Sequence, residues 1–203
     1  MNSLILASSN KGKIKEITTL LAPLGLQVVP QTKWNVPDAE ETGLSFVENA
    51  LLKARNCARH TKQPALAEDS GLCVDALHGA PGIYSARYAG LHGDDGAKMD
   101  KLLKAMQNIP PAQRGAHYKC VLVWVQHERD PSPYIAEGRL GGHITTQRRG
   151  TLGFGYDPVF YLEAHGKTLA EVPPSVKNKI SHRRLALEKM QAQLHQSCSH
   201  KDC

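Results

Sequence analysis

Apolar and polar positions along this chain follow two periods, and the switch between them marks its elements. Ser3 to Ala7 (SLILA) is a continuous apolar run that breaks into SSNKG, after which Ile14, Ile17, Leu20 and Leu21 recur at helical spacing. That predicts a strand, a polar loop and a helix. A second helix has a clearer start, because Ser45 and Glu48 form a capping-box pattern at the head of SFVENALLKARNCARHT. At about 100° per residue, Phe46, Ala50, Leu51, Ala54, Cys57 and Ala58 share one side of that helix, with Lys53 at its margin. PALAEDSGL and GLCVDAL follow as two strand-like runs interrupted at Asp-Ser-Gly. Asp94 to Met106 predicts a helix closing near Pro110, and Tyr118 to Gln126 and Tyr134 to Ile144 predict neighbouring strands across the DPSP turn. GTLGFGYDPVFYL reads as a glycine-rich turn entering another strand. Ser181 is expected to cap a last helix that buries Leu187, Met190 and Leu194.

Strands alternating with helices predict the α/β class. The length suits one domain or two intimate lobes, expected over residues 1–195, with a disordered polar tail over 196–203. Hydrophobic residues at 41% and charged residues at 22% are the proportions of a globular chain. No apolar run approaches the roughly 20 residues of a membrane span, and MNSLILASSN lacks the basic and apolar regions of a secretion signal. Five irregularly spaced cysteines fit reduced thiols, so a cytoplasmic location is expected.

The net charge is +6, and all but one of the excess positive charges fall in residues 105–203. This points to an anionic partner, either nucleic acid or a phosphorylated small molecule. Aromatic residues make up only 5%, without basic and aromatic interleaving, which weakens the reading as a nucleic-acid-binding module. Neither common nucleotide fingerprint is present. Ile14 follows Gly12 and Lys13 where a P-loop needs Ser or Thr, and Pro158 replaces the last glycine of a dinucleotide motif begun at Gly153. In SSNKGK, however, a strand that breaks into a helix start offers free backbone N–H groups, and Ser8, Asn10 and Lys13 can face a phosphate chain. Taken alone, that segment is better explained as an ordinary capped helix with surface lysines. Glu40 and Glu41 before the second helix, with Glu68 and Asp69 at a strand end, supply the carboxylates that Mg²⁺ takes alongside substrate phosphates. Zinc is disfavoured, because outside the tail the histidines and cysteines lack compact ligand spacing.

Six segments, SSNKGKIKE, EETGLSFVENALLKA, EDSGL, GAPGIYSARYAG, GTLGFGYDP and SHRRLA, occur in the order found in the inosine/xanthosine triphosphate pyrophosphatases, which the chain resembles over residues 3–194. The resemblance implies an elongated mixed β-sheet flanked by helices, in two lobes with a central cleft, and a homodimer. It further implies Mg²⁺-dependent hydrolysis of ITP, dITP and XTP to the monophosphate and pyrophosphate, which cleanses the nucleotide pool, with no membrane and no stable nucleic-acid partner. On the same resemblance Ser8, Ser9, Asn10, Lys11, Gly12 and Lys13 form the phosphate loop, and Lys53 adds a catalytic ammonium. Glu41 and Asp69 handle the metal, Asp69 also accepts the proton of the attacking water, and Ser70 touches substrate. Phe154 stacks on the purine, Gly155, Tyr156 and Asp157 shape the pocket beside it, and Lys177, His182 and Arg183 reach the base edge. Donors at that edge suit the carbon 6 oxygen of hypoxanthine and xanthine and reject the amino group of adenine. A related pyrophosphatase acting on modified pyrimidines is the near alternative.

Overall fold

A computed structural model of the chain describes residues 3–25, 27–90 and 94–199, without the side chains of Leu24 and of 196–199. Seven strands, β1 (Ser3–Ala7), β2 (Gln27–Pro30), β3 (Ala65–Val74), β4 (Gly115–Val125), β5 (Tyr134–Ile144), β6 (Phe160–Leu162) and β7 (Lys167–Thr168), form one sheet in the order β2-β1-β3-β4-β5-β6-β7. The sheet is mixed. β1 runs parallel to β2 and to β3, with Ala7 opposite Ala67, whereas β6 is antiparallel to both β5 and β7. Among the described residues five α-helices accompany it: α1 (Lys11–Leu21), α2 (Phe46–Thr61), α3 (Asp95–Ala105), α4 (Pro174–Ile180) and α5 (His182–Ser199).

The chain divides into two compact units, Met1–Asp69 with Cys120–Gly138 and Arg183–Cys203, and Ser70–Lys119 with Arg139–His182. In the first, β1 runs between two parallel neighbours and is buried from Leu4 to Ala7, as is β3 from Ala65 to Asp69. Their even positions Leu4, Leu6 and Leu66 pack with Ile17, Leu20 and Leu21 of α1 and Ala186, Leu187 and Met190 of α5. α1 starts where Asn10 accepts the Lys13 N–H at 3.1 Å, and α2 where Ser45 accepts the Glu48 N–H at 3.4 Å. Glu48 reaches back over the same turn, accepting the Leu44 N–H at 2.9 Å and the Ser45 hydroxyl at 2.7 Å. Fully buried Ala50, Ala54 and Cys57 give α2 a face of small side chains for close approach.

The second unit has its own core of Leu72, Val74, Met99, Leu102, Met106, Tyr118, Ile144, Phe160 and Leu169. Buried Arg114 closes it, donating to the carbonyls of Met106 (2.6 Å), Ile109 (3.2 Å), Ile144 (2.7 Å) and Thr145 (2.8 Å), so four backbone oxygens stand in for a counter-ion.

Three elements differ from the sequence expectation. β3 continues unbroken through Asp69, Ser70 and Gly71, because the Ser85 hydroxyl caps the Leu72 N–H at 2.9 Å and keeps the segment extended. β4 starts at Gly115 rather than Tyr118. The α5 backbone stays helical through Ser199, past the expected tail boundary at Gln196, while the expected disorder of 200–203 lies outside the described residues. Among the described residues no helix is long and apolar enough to cross a membrane.

Candidate active site

β3 delivers two adjacent carboxylates to opposite faces, because strand side chains alternate. Asp69, 5% exposed, faces α2, where the Lys53 ammonium bonds its Oδ1 at 2.8 Å. The same ammonium reaches Glu41 Oε1 at 2.9 Å, so one lysine gathers two acidic side chains from a strand and from the loop before α2. Asn49, one helical turn before Lys53, fixes that loop by accepting the Gly43 N–H at 2.8 Å. Asp69 Oδ2 is buried and has no hydrogen-bond partner among the described residues. Burial is the strongest influence on Asp69 and raises its pKa, the ammoniums of Lys53 and Lys13 oppose it, and the net displacement is upward. Burial works against the charge on Lys53, but Asp69 and then Glu41 outweigh it and hold that ammonium above its usual range. Both shifts mean that the cluster favours an added positive charge.

Glu68 faces the other way. Its carboxylate is fully buried and takes a two-pronged bond from Arg183, Nε at 2.7 Å and Nη2 at 2.7 Å, while Arg183 Nη1 pairs with Glu16 of α1. Lys13 stands 3.5 Å from Glu68. Arg183 is only 2% exposed. The two acids and two cations thus join α1, β3 and α5 inside the first unit, a network that sequence reading missed. The Arg183 guanidinium, expected at the base edge, is held here by Glu68 and Glu16.

At the helix start, Ser8 is half-buried and its hydroxyl accepts the Asn10 N–H at 3.2 Å, while Ser9 donates to Asp38 at 2.8 Å. Gln31 also donates to Asp38, at 2.6 Å, so this acid holds the loop from outside, a role without a motif to announce it. Ser9, Asn10, Lys11 and Gly12 are exposed. Ser70 is half-buried.

In the second unit, Phe154 is 45% exposed with the Lys177 ammonium 4.7 Å from its ring centroid. Asp157, 3% exposed, accepts the Phe154 N–H at 2.9 Å and the Lys177 ammonium at 2.6 Å. Gly153, at φ +80°, gives the chain the turn that brings Phe154 over Asp157. Tyr156 is buried and donates to the Ser85 carbonyl at 2.9 Å, which ties the loop to the core. His182 is buried with its ring stacked on Tyr118, centroids 4.8 Å apart at 8°. Gly155 donates its N–H to Asp95 of α3 at 2.6 Å, a contact whose only trace in the sequence is the doubled aspartate of GDDG.

A mixed α/β fold that sets two carboxylates around one lysine, beside a helix start with exposed donors, defines a protein equipped to hold a polyanion together with a cation. The chain belongs to the Ham1 family, whose model matches residues 4–193. It is 53% identical over 190 residues to a dITP/XTP pyrophosphatase of Yersinia pseudotuberculosis, covering 94% of this chain and 96% of that protein. Among solved structures it is similar to a HAM1 protein from Coxiella burnetii, with a TM-score of 0.90, 45% identity and coverage of 97% of this chain and 100% of that one. It is also similar to a nucleoside-triphosphatase / dITP/XTP pyrophosphatase from Mycobacterium abscessus, with a TM-score of 0.75, 39% identity and coverage of 93% and 97%.

Proposed function

We propose that this chain hydrolyses non-canonical purine nucleoside triphosphates, ITP, dITP and XTP, to the monophosphate and pyrophosphate, with Mg²⁺ as cofactor. The observation that carries the reading is the Lys53 ammonium shared by Glu41 and Asp69, with Asp69 Oδ2 buried and still open to a partner. Mg²⁺ fits this donor set, since it binds through one or two carboxylates and takes its other oxygens from phosphate and water. Among the described residues no three His, Cys, Asp or Glu side chains gather into a cage of their own, which agrees with a metal that arrives with its substrate. Glu41 and Asp69 would hold it, and it would supply neutralising charge to the phosphate oxygens.

The chain's own residues do the rest. Lys13 and Lys53, with the N–H groups at the start of α1, meet the negative charge that builds on the equatorial oxygens and on departing pyrophosphate when water attacks the α-phosphorus. Asp69, held in place by Lys53, orients that water and takes its proton. In the second unit Phe154 stacks on the purine. Lys177 beside that ring, together with His182, supplies donors for the carbon 6 oxygen. Arg183 serves the fold through Glu68 and Glu16. A homodimer and a cytoplasmic location complete the proposal, and sedimentation tests the first.

A panel of ITP, dITP, XTP, ATP, GTP and modified pyrimidine triphosphates, each with Mg²⁺ or with EDTA, tests reaction and base choice together. Expected is pyrophosphate release from the first three nucleotides that stops with EDTA. Orthophosphate as the product, or equal turnover of ATP, would overturn the reading.

A further inference from the structure

We propose that Asp95, through its bond to the Gly155 N–H, is a positioning residue that sets the pose of Phe154 and thereby the preference for the base. The proposal rests on the reading of Phe154 as the purine platform. α3 begins with two aspartates that have separate tasks. Asp94 is the cap, accepting the Ala97 N–H at 2.6 Å, which leaves the Asp95 carboxylate available to another part of the chain. It accepts the Gly155 N–H at 2.6 Å and pairs with Lys98 at 2.7 Å.

The same helix grips the far flank of that loop. Arg148 donates to the Gly96 carbonyl at 2.7 Å and to Asp100 at 2.5 Å. The segment 148–155 is therefore held to α3 at both ends, and Phe154 lies immediately before the second anchor. On its other side the Phe154 N–H is held by Asp157. Two carboxylates thus fix consecutive amides, at 154 and 155, across a stretch whose glycines at 153 and 155 both have positive φ, +80° and +65°. Glycines allow many backbone states, so without the second anchor the ring samples orientations other than the one that accepts a purine. A charge-assisted bond to a backbone N–H is strong enough to select one of them. The carboxylate stays ionised for the task. Burial opposes its charge, but Lys98 and the Gly155 amide outweigh it and lower the pKa.

The test compares Asp95→Ala, Asp95→Asn and Asp95→Glu with the parent in steady-state kinetics on ITP and ATP, with amide hydrogen exchange at Gly155 and thermal unfolding measured in parallel. Asn keeps an acceptor for the Gly155 N–H. Glu keeps the charge for Lys98 and for the helix start but displaces the acceptor. Expected for Ala and Glu is a roughly tenfold rise in KM for ITP, a smaller ITP-over-ATP preference, kcat within about twofold, and faster exchange at Gly155, with Asn, a weaker neutral acceptor, between Ala and the parent. Should Ala not fold, the Asn and Glu pair still decides. Unchanged KM in Ala and Glu, beside a raised KM in Phe154→Ala, overturns the role of Asp95 alone. Unchanged KM in Phe154→Ala as well overturns the base-site reading and this proposal with it. Glu behaving as the parent while Asn and Ala fail would reduce Asp95 to an ion-pair partner and overturn the proposal too.

Discussion

Replacing Arg183 by methionine separates a residue that holds the fold from one that reads the base. The guanidinium is 2% exposed, and its carboxylate partners Glu68 and Glu16 have side chains 0% and 8% exposed. Methionine fills much the same volume, so packing changes little. Two acids are nevertheless left inside the protein without the guanidinium that joins them, while Lys13 stays 3.5 Å from Glu68. Removing one partner of a buried ion pair costs roughly 3–5 kcal/mol. For a chain of 203 residues each kcal/mol moves Tm by about 2–4 °C, which places the expected loss at roughly 6–20 °C. Thermal unfolding at pH 7, with urea titration as a second probe, measures it. Arg183→Met with Glu68→Gln should recover part of the loss, because one stranded charge is then gone. A fall of less than about 2 °C, together with a collapse of the ITP-over-ATP preference, would refute the structural role and return Arg183 to the base edge.

Asp69→Asn should reduce turnover by about 10²- to 10⁴-fold, the usual worth of a general base, as pyrophosphate release will report. Its stability in EDTA should show the opposite trend. Since the folded pKa of Asp69 is raised, the fold favours the protonated form, and that contribution is present at acid pH and lost as pH rises through the folded value. The neutral asparagine should therefore match the parent near pH 4 and equal or exceed it at pH 7 in thermal unfolding. A variant that matches the parent near pH 4 and falls below it at pH 7 would contradict the raised pKa. Gly153→Ala combines φ +80° with a Cβ that falls onto the Asp157 carboxylate, so both Tm and affinity for ITP should drop, by about 1–2 kcal/mol from the backbone alone. Wild-type values for both would mean that Asp157 does not brace this loop.

What could be read without coordinates followed the range of the interactions. α2 and its start were legible because a capping box and a 3.6-residue period are local, and the bounds of β5 emerged as read, Tyr134–Ile144, because its neighbouring turn is local too. β3 looked broken since Asp-Ser-Gly has turn composition, and what keeps it extended, the Ser85 hydroxyl, lies 13 residues away. The start of β4 was hidden by Gly115 and Ala116, poor strand formers that only their sheet neighbours make extended. In the site, residue types pointed to Glu41, Lys53 and Asp69 one by one, while their meeting on one ammonium depends on separations of 12 and 16 residues. Arg183 lies in what reads as a solvated first turn, and the acids that bury it are 115 and 167 positions distant. Nothing local announces such a partner.

The neighbouring acids of β3 also constrain how this gene can change. Each owes its surroundings to whether its number along the strand is odd or even. Inserting one codon between Ala67 and Glu68 would move both acids along by one and exchange their faces, turning Asp69 toward the side of the guanidinium and Glu68 toward Lys53. Length variation should accordingly be tolerated in the connections on either side, while this short piece of strand keeps its count.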